Sequence, residues 1–202
     1  MLEALTGVGL ATSAGLNAYI PLLAVGILNR TTGLIDLPPS WQWLSNGWVI
    51  GILLVLLAVE FVADKVPVVD HVNDVIQTFV RPTAGGLAFG AASASDTVMV
   101  KDPGTFFTSH QWVPVALGIL ISLTVHAGKA AVRPVVNATT VGVGTPIVST
   151  AEDIGSFTLS LVAIVVPILV LVFVVAMIIG FWALLRRQRS RRQRRRAARS
   201  FT

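Results

Sequence analysis

The chain has 202 residues, of which 54% are hydrophobic and only 12% are charged, and its mean hydropathy is +0.78. A soluble domain carries roughly twice that charged fraction, so the composition argues against a soluble globular protein. It predicts instead one multi-pass membrane domain with about four to six membrane segments. Because cysteine is absent, disulfides, thiolate metal sites and cysteine catalysis are excluded.

Positive charge is concentrated near the C-terminus. Nine of the fifteen basic residues are arginines between positions 186 and 199, so the rest of the chain carries six basic against ten acidic residues. An arginine run directly after an apolar helix is typical of a cytoplasmic stop that contacts anionic lipid headgroups. We therefore predict a single transmembrane domain over 1–185 and an arginine-rich cytoplasmic tail over 186–202, with no nucleic-acid partner.

The first apolar segment covers about residues 4–28, and we interpret it as a retained membrane span and not as a cleaved signal peptide. Asn17 and Pro21 place a polar group and a missing backbone donor near its middle, so a kink or break is expected there. A loop over 29–47 follows it, and the second span is predicted from about 48 to 64.

Charged residues then crowd the stretch EFVADKVPVVDHVNDVIQTFVRP, which covers 60–82 and holds four of the ten acidic residues of the chain. The following stretch, 83–100, is rich in small residues, and we expect it to be shielded inside a helix bundle. Residues 101–111 read as a turn region, and the third span is predicted over about 112–131.

A second polar stretch, 132–156, separates the third span from the last apolar run, 157–185. That run has 29 residues without a charge, which makes about 43 Å of helix. It exceeds the hydrocarbon thickness of roughly 30 Å, so we expect it to tilt, and Pro167 can kink it.

The two polar stretches share short motifs, PVVD with PVVN and VRP in both, which indicates an internal repeat. The sequence also contains two sets of polar residues whose spacing places each set along one face of its own helix. The first set is Asp70, Asp74, Gln77 and Arg81, and the second is His126, Lys129, Arg133 and Asn137.

With four spans and a cytoplasmic C-terminus, the two polar stretches start from opposite faces of the membrane. Each is then expected to fold back as a proline-broken helical hairpin that re-enters the membrane. The predicted fold class is an all-α membrane protein with about four full transmembrane helices and two such hairpins in a weak inverted repeat.

The motifs EFVADKVPVVD…RPTAGG, HAGKAAVRPVVN and STAEDIGS resemble a family of small bacterial multi-pass inner-membrane proteins that is catalogued as a domain of unknown function. The resemblance covers about residues 5–185. It implies a location in the bacterial cytoplasmic membrane and a set of candidate residues, but no substrate. EFVADK is also similar to the Glu-x-Gly-Asp-Lys signature of divalent-cation/proton exchangers, although here Glu60 and Asp64 lie four residues apart and Ala63 replaces the glycine.

Ionisable groups at membrane depth by default indicate an ion or substrate path, so we predict a small transporter or channel for an ionic or polar solute. Basic residues would hold an anionic group, and acidic ones would bind a coupling cation or proton. The candidate binding residues are Glu60, Asp64, Lys65, Asp70, Asp74, Arg81, His126, Lys129, Arg133, Asn137, Glu152 and Asp153.

Other hypotheses stay open at this point. The charges could form only interhelical ion pairs in a structural or assembly protein, or handle polyprenyl-phosphate or another anionic lipid. His126, Ser149 and an acidic residue could be drawn as a catalytic set, but no nucleophile motif supports it and an enzyme is not expected. Transient metal binding by acidic residues and His71 is a further alternative. No cofactor is predicted, and a homo-oligomer is expected.

Overall fold

The computed structural model describes residues 2–65, 67–93, 112–140 and 144–172 together with 175, 176 and 179, without the side chains of 67–72 and 137. Within these ranges the chain is helical, and no strand occurs, so the all-α class is confirmed. The long α-helices in the described ranges are α1 (Leu2–Leu16), α2 (Tyr19–Thr31), α3 (Gly47–Ala63), α4 (Pro67–Ser93), α5 (Trp112–Thr140) and α6 (Gly144–Val165). A short 3-10 helix, Gln42–Ser45, precedes α3.

Helix α1 lies at the centre of the molecule and contacts α2, α4, α5 and α6. Its small residues make this possible, because they let neighbouring backbones approach closely. A Cβ added to Gly15 would lie 2.7 Å from the carbonyl oxygen of Ser122 in α5. On another face, the hydroxyl of Ser13 lies 2.7 Å from those of Ser156 and Ser160 in α6. Close packing and a buried hydroxyl cluster therefore fix α1 between α5 and α6.

The first apolar segment is interrupted at Asn17 and Ala18, so the expected break is present. The Asn17 side-chain oxygen accepts hydrogen bonds from the backbone N–H groups of Tyr19 (3.0 Å) and Ile20 (3.3 Å). It thus satisfies two donors at the start of α2 that have no partner within the helix. Pro21, in the first turn of α2, needs no backbone donor there.

The two polar stretches were expected to be broken at prolines. Pro82 lies within α4 and Pro134 within α5, and both helices are continuous, so neither of these prolines breaks its helix. Neighbouring helices can supply hydrogen bonds beside such a proline. Next to Pro82, the Ser122 hydroxyl donates to the carbonyl oxygen of Arg81 at 2.7 Å. Re-entry of the polar stretches stays a prediction.

The predicted boundaries of the second half also differ from the structure. Residues 132–140 continue α5 and residues 144–156 begin α6, so the polar stretch belongs to two long helices. Helix α6 ends at Val165, and helical structure resumes at residue 168, directly after Pro167. The last apolar run therefore does not begin a new helix at residue 157, but it is interrupted where the kink was expected.

The small-residue stretch is mostly buried as far as it is described. Gly85 and Gly86 of α4 pack against α5, where an added Cβ would overlap Ser122 or Ile119, and Gly90 packs against Trp41 and Val115. Ala84, Ala88 and Ala91 are buried as well. Shielding inside the bundle is thus confirmed for residues 84–93, which are buried or half-buried, whereas Thr83 is exposed. The remainder, 94–100, lies outside the described residues.

Two of the described helices, Trp112–Thr140 and Gly144–Val165, are long and apolar enough to cross a membrane. Helix α3 is apolar but has only 17 residues. Most of its large side chains, such as Val55, Val59 and Val62, are exposed in the isolated chain. Only two of the described helices thus have the length and hydropathy of a membrane span, and the predicted number of four full spans stays a prediction.

Candidate functional site

A cluster of ionisable side chains, most of them buried, lies where α1, α3, α4, α5 and α6 meet. We call it the ionic cluster, and its members come from the end of α3, from α4, from α5 and from α6. They are Glu60, Asp64, Asp74, Arg81, Lys129, Arg133 and Glu152.

Arg81 is the most deeply buried of the basic residues, with 0% exposure. It donates to Glu60 Oε1 at 2.8 Å and lies 3.7 Å from Asp64 Oδ2. It also donates to Gln77 Oε1 at 3.4 Å, one turn earlier on the same helix. Buried charge is tolerated only when paired and hydrogen-bonded, and Arg81 meets both conditions.

Asp64, which caps the C-terminus of α3, is the carboxylate with the most partners. Its Oδ2 atom lies 3.1 Å from Arg133, 3.5 Å from Lys129 and 3.7 Å from Arg81. Its Oδ1 atom accepts a hydrogen bond from the Asn73 amide at 2.6 Å. Three cations and one amide donor therefore converge on a single carboxylate.

Glu152 completes the cluster from α6. Its Oε2 atom lies 2.8 Å from Lys129 and 2.9 Å from Arg133. Arg133 reaches a further carboxylate through its other terminal nitrogen, which lies 3.5 Å from Asp74 Oδ1. The basic stripe of α5 thus joins the acidic groups of three other segments.

The C-terminal end of α1 also faces the cluster. Arg81 donates to the carbonyl oxygen of Gly15 and Lys129 to that of Leu16, each at 3.3 Å. Carbonyl groups at a helix C-terminus carry partial negative charge, so cations are favourable there. The break after α1 therefore adds acceptors to the cluster.

A second ion pair lies at the rim of the cluster. Lys65 is 3.9 Å from Asp153, and its ammonium lies 3.0 Å from the centre of the Phe61 ring. Asp153 also accepts a hydrogen bond from the Asn17 amide at 2.9 Å. The residue that caps α2 is thereby tied to α6.

His126 is buried beside the cluster, and its Nε2 atom lies 3.2 Å from the Thr78 hydroxyl. Among the described residues, neither His126 Nδ1 nor the buried Ser149 hydroxyl has a hydrogen-bond partner. The two residues therefore do not form a nucleophile–base contact. The expectation that the chain is not an enzyme stays a prediction.

Most of the predicted site residues converge in space. Nine lie in the ionic cluster or its rim pair, and His126 lies beside them. The side chains of Asp70 and Asn137, and that of His71, lie outside the described residues. No group of three or more histidine or acidic side chains in the described ranges is placed to hold a metal ion.

Several polar contacts of the site were not predicted from the sequence, and three of them reach charged groups of the ionic cluster. These three are the Asn73 amide on Asp64 and the two carbonyl oxygens at the end of α1. The sequence does not indicate Asn73 as a site residue, because Asn73 does not lie on the helix face that carries Asp70, Asp74, Gln77 and Arg81. The carbonyl contacts follow from the break at Asn17, which the sequence indicates, but not from any side-chain pattern.

The fold and the site together define an all-helical protein with many exposed apolar side chains and a buried ionic cluster at a helix break. The chain belongs to the family described as a domain of unknown function, DUF4126, whose model matches residues 4–187. Membership of a family catalogued as a domain of unknown function is thereby confirmed. No curated protein and no solved structure matches the chain.

Proposed function

We propose that the protein is a small multi-pass membrane transporter or channel for an ionic or polar solute, with the ionic cluster as its site. The observation that carries this proposal is that polarity is distributed in the opposite way to a soluble protein, with charged groups inside and apolar side chains outside. Charged groups such as Arg81, Lys129 and Asp64 are buried, whereas large apolar side chains cover much of the exterior. In a membrane, ionisable groups are costly and face the bundle interior or a water-filled path.

The exterior supports a lipid environment. Two described helices have the length and hydropathy of membrane spans. Helix α3 buries only Leu53 and Glu60, so nearly all of its remaining apolar surface is left for lipid or another chain. Contiguous exposed apolar surface of this kind is unusual in soluble monomers.

Each sign of charge has a role in the proposal. Arg81, Lys129 and Arg133 would hold an anionic group when their present carboxylate partners release them. The carboxylates would bind a coupling cation or a proton. Because α1 ends inside the cluster, a small movement of α1 against α4 and α5 would change the contacts of Arg81 and Lys129 together.

The topology belongs to the same proposal. Four spans, a weak inverted repeat and re-entry of the polar stretches would place the site between two halves, as in other transporters built from broken helices. The arginine-rich tail over 186–202 would keep the C-terminus in the cytoplasm of a bacterial cell and contact anionic lipid headgroups. A homo-oligomer would cover the exposed faces of a bundle this small.

A structural role is the second candidate, and one observation favours it. The basic groups of the cluster all lie within 4 Å of carboxylates, and Arg133 alone reaches Asp64, Glu152 and Asp74. A set of charges that satisfy one another can simply hold helices in register. Handling of a phosphate-bearing lipid is a variant of the transport proposal in which the same cations bind a headgroup.

Flux measurements separate these candidates. Liposomes containing purified protein and loaded with potassium chloride or potassium phosphate are monitored with a potential-sensitive dye. We expect the wild type to move at least one of these ions, and Lys129→Ala and Asp64→Ala to reduce the rate at least about tenfold. Asp36→Ala is the matched control, because Asp36 is exposed and outside the cluster.

Two results would contradict the proposal. One is a wild-type protein that moves neither salt although it is folded and inserted. The other is a pair of cluster variants that lose folding stability while the fraction that remains folded transports at the wild-type rate. The second result would favour the structural role.

A further inference from the structure

The carboxylates of the ionic cluster are compensated to very different degrees. Asp64 has both oxygens engaged, one by three cations and the other by Asn73. Glu152 lies within 3 Å of both Lys129 and Arg133. The negative charge of each of these two carboxylates is therefore compensated by several positive charges.

Glu60 is buried as deeply as Asp64, with 2% of its surface exposed. Its Oε1 atom accepts from Arg81 at 2.8 Å, which is the only ion pair it makes among the described residues. Its Oε2 atom is buried and has no hydrogen-bond partner in that part of the chain. Arg81 is moreover shared with Asp64 and with the Gly15 carbonyl oxygen.

This combination is unfavourable for a charged carboxylate. An ionised oxygen without a donor loses its hydration and gains no hydrogen bond in return. A proton on Oε2 removes the negative charge, and Arg81 can still donate to Oε1. Asp74 Oδ1 also has no hydrogen-bond partner among the described residues, but the Asp74 side chain is 21% exposed, whereas that of Glu60 is 1% exposed. Glu60 is thus the fully buried carboxylate of the cluster that gains most from binding a proton.

The surroundings of Glu60 contain few competing groups. The titratable or charged neighbours are Tyr19 from α2, Arg81 from α4, Asp64 on its own segment and Lys129 from α5. The 3-10 helix Gln42–Ser45, which also packs against α3, carries no titratable residue. In the described part of the chain, only Arg81 pairs directly with the carboxylate, so no second cation there replaces a proton at Oε2.

We propose that Glu60 is the proton-binding group of the ionic cluster, with the proton taken up from water onto Oε2 while Arg81 keeps its contact with Oε1. Uptake raises the net charge of the cluster by one and leaves the other ion pairs in place. The consequence for transport rests on the proposed function: the solute would cross together with a proton or in exchange for one. Proton binding itself does not depend on transport.

Infrared spectroscopy of the purified protein in lipid nanodiscs tests the binding step directly. The carbonyl stretch of a protonated, buried carboxyl group is followed between about pH 4 and pH 9, a range that brackets the titration of carboxyl groups in proteins. We expect a band that titrates in the wild type and is absent in Glu60→Gln. Glu3→Gln, which changes an exposed glutamate, should leave the band unchanged.

Glu60→Asp keeps a carboxyl group at the same place and should move the band without abolishing it, which covers the case in which Glu60→Gln does not fold. A band that persists in Glu60→Gln, or a wild type with no titrating band, would overturn the proposal. In the flux assay, Glu60→Gln should lose the response to an imposed pH gradient. A titrating band in a protein without flux would retain the proton site and reject only the transporter.

Discussion

Glu60 and Asp64 lie one helical turn apart at the end of α3, and both are 2% exposed. Asp64 has three cations and an amide around it, whereas Glu60 has one arginine and an oxygen with no donor among the described residues. The difference arises from the neighbouring helices, because α5 directs Lys129 and Arg133 toward Asp64. Equal burial therefore does not give equal roles, and the number of donors decides which carboxylate stays charged.

The comparison separates the cluster into two parts. Around Asp64 the charges compensate one another and tie α3, α4, α5 and α6 together. Around Glu60 the compensation is incomplete, and a proton or a solute can complete it. Four experiments test this division, beginning with the one of largest expected effect.

Arg81→Met removes the one cation that pairs with both Glu60 and Asp64 among the described residues. Because Glu60 and Asp64 then lie in a low-dielectric interior with less compensation, we expect the free energy of unfolding to fall by about 3–5 kcal/mol. Denaturant titration in mixed micelles measures it. Arg30→Met, at an exposed position, is the control and should change stability by less than about 0.5 kcal/mol. Similar losses in both variants would contradict a central role for Arg81.

Asp64→Asn tests the compensated part of the cluster. The change leaves three cations without their shared negative charge, so we expect a loss of about 2–3 kcal/mol in the same titration. Asp36→Asn, which changes an exposed aspartate, should have no measurable effect. A neutral outcome for Asp64→Asn would show that its three cations do not depend on it.

A double-mutant cycle between Lys129 and Glu152 sharpens the comparison, because these residues lie 2.8 Å apart. Lys129→Met and Glu152→Gln are measured singly and together. We expect a coupling energy of about 1 kcal/mol, since buried polar pairs in membranes contribute modestly to stability. A coupling indistinguishable from zero would mean that this contact does not stabilise the fold.

Glu60→Gln is expected to have the smallest effect on stability. The amide oxygen can still accept from Arg81, and the uncompensated charge is removed, so the free energy of unfolding should change by less than about 1 kcal/mol at neutral pH. Measuring it beside Asp64→Asn gives the comparison directly. A loss as large as that of Asp64→Asn would show that the two carboxylates have the same role.

Much of this arrangement could be predicted from the sequence where local periodicity determines the outcome. Gln77 and Arg81 on α4, and His126, Lys129 and Arg133 on α5, are buried on the stripes that helical spacing predicts. The break near Asn17 and Pro21 was also expected, because a polar group and a missing donor weaken the same turn. These features depend on residues that are close in sequence.

The remaining features depend on contacts between distant segments. Proline breaks were expected in both polar stretches, yet Pro82 and Pro134 lie in continuous helices. Interhelical ion pairs were left open as an alternative, and in the structure Lys129 and Arg133 are held mainly by Asp64 and Glu152. No local pattern shows which carboxylate each cation reaches.

The most direct test of the transport claim uses the Lys129→Met/Glu152→Gln double variant in the liposome flux assay. This variant removes both charges of one pair and leaves no uncompensated partner, so we expect it to fold with a stability within about 1 kcal/mol of the wild type. If the ionic cluster is a transport site, the folded variant loses ion flux at least about tenfold. Wild-type flux in the folded double variant would contradict the claim and favour a purely structural role for the cluster.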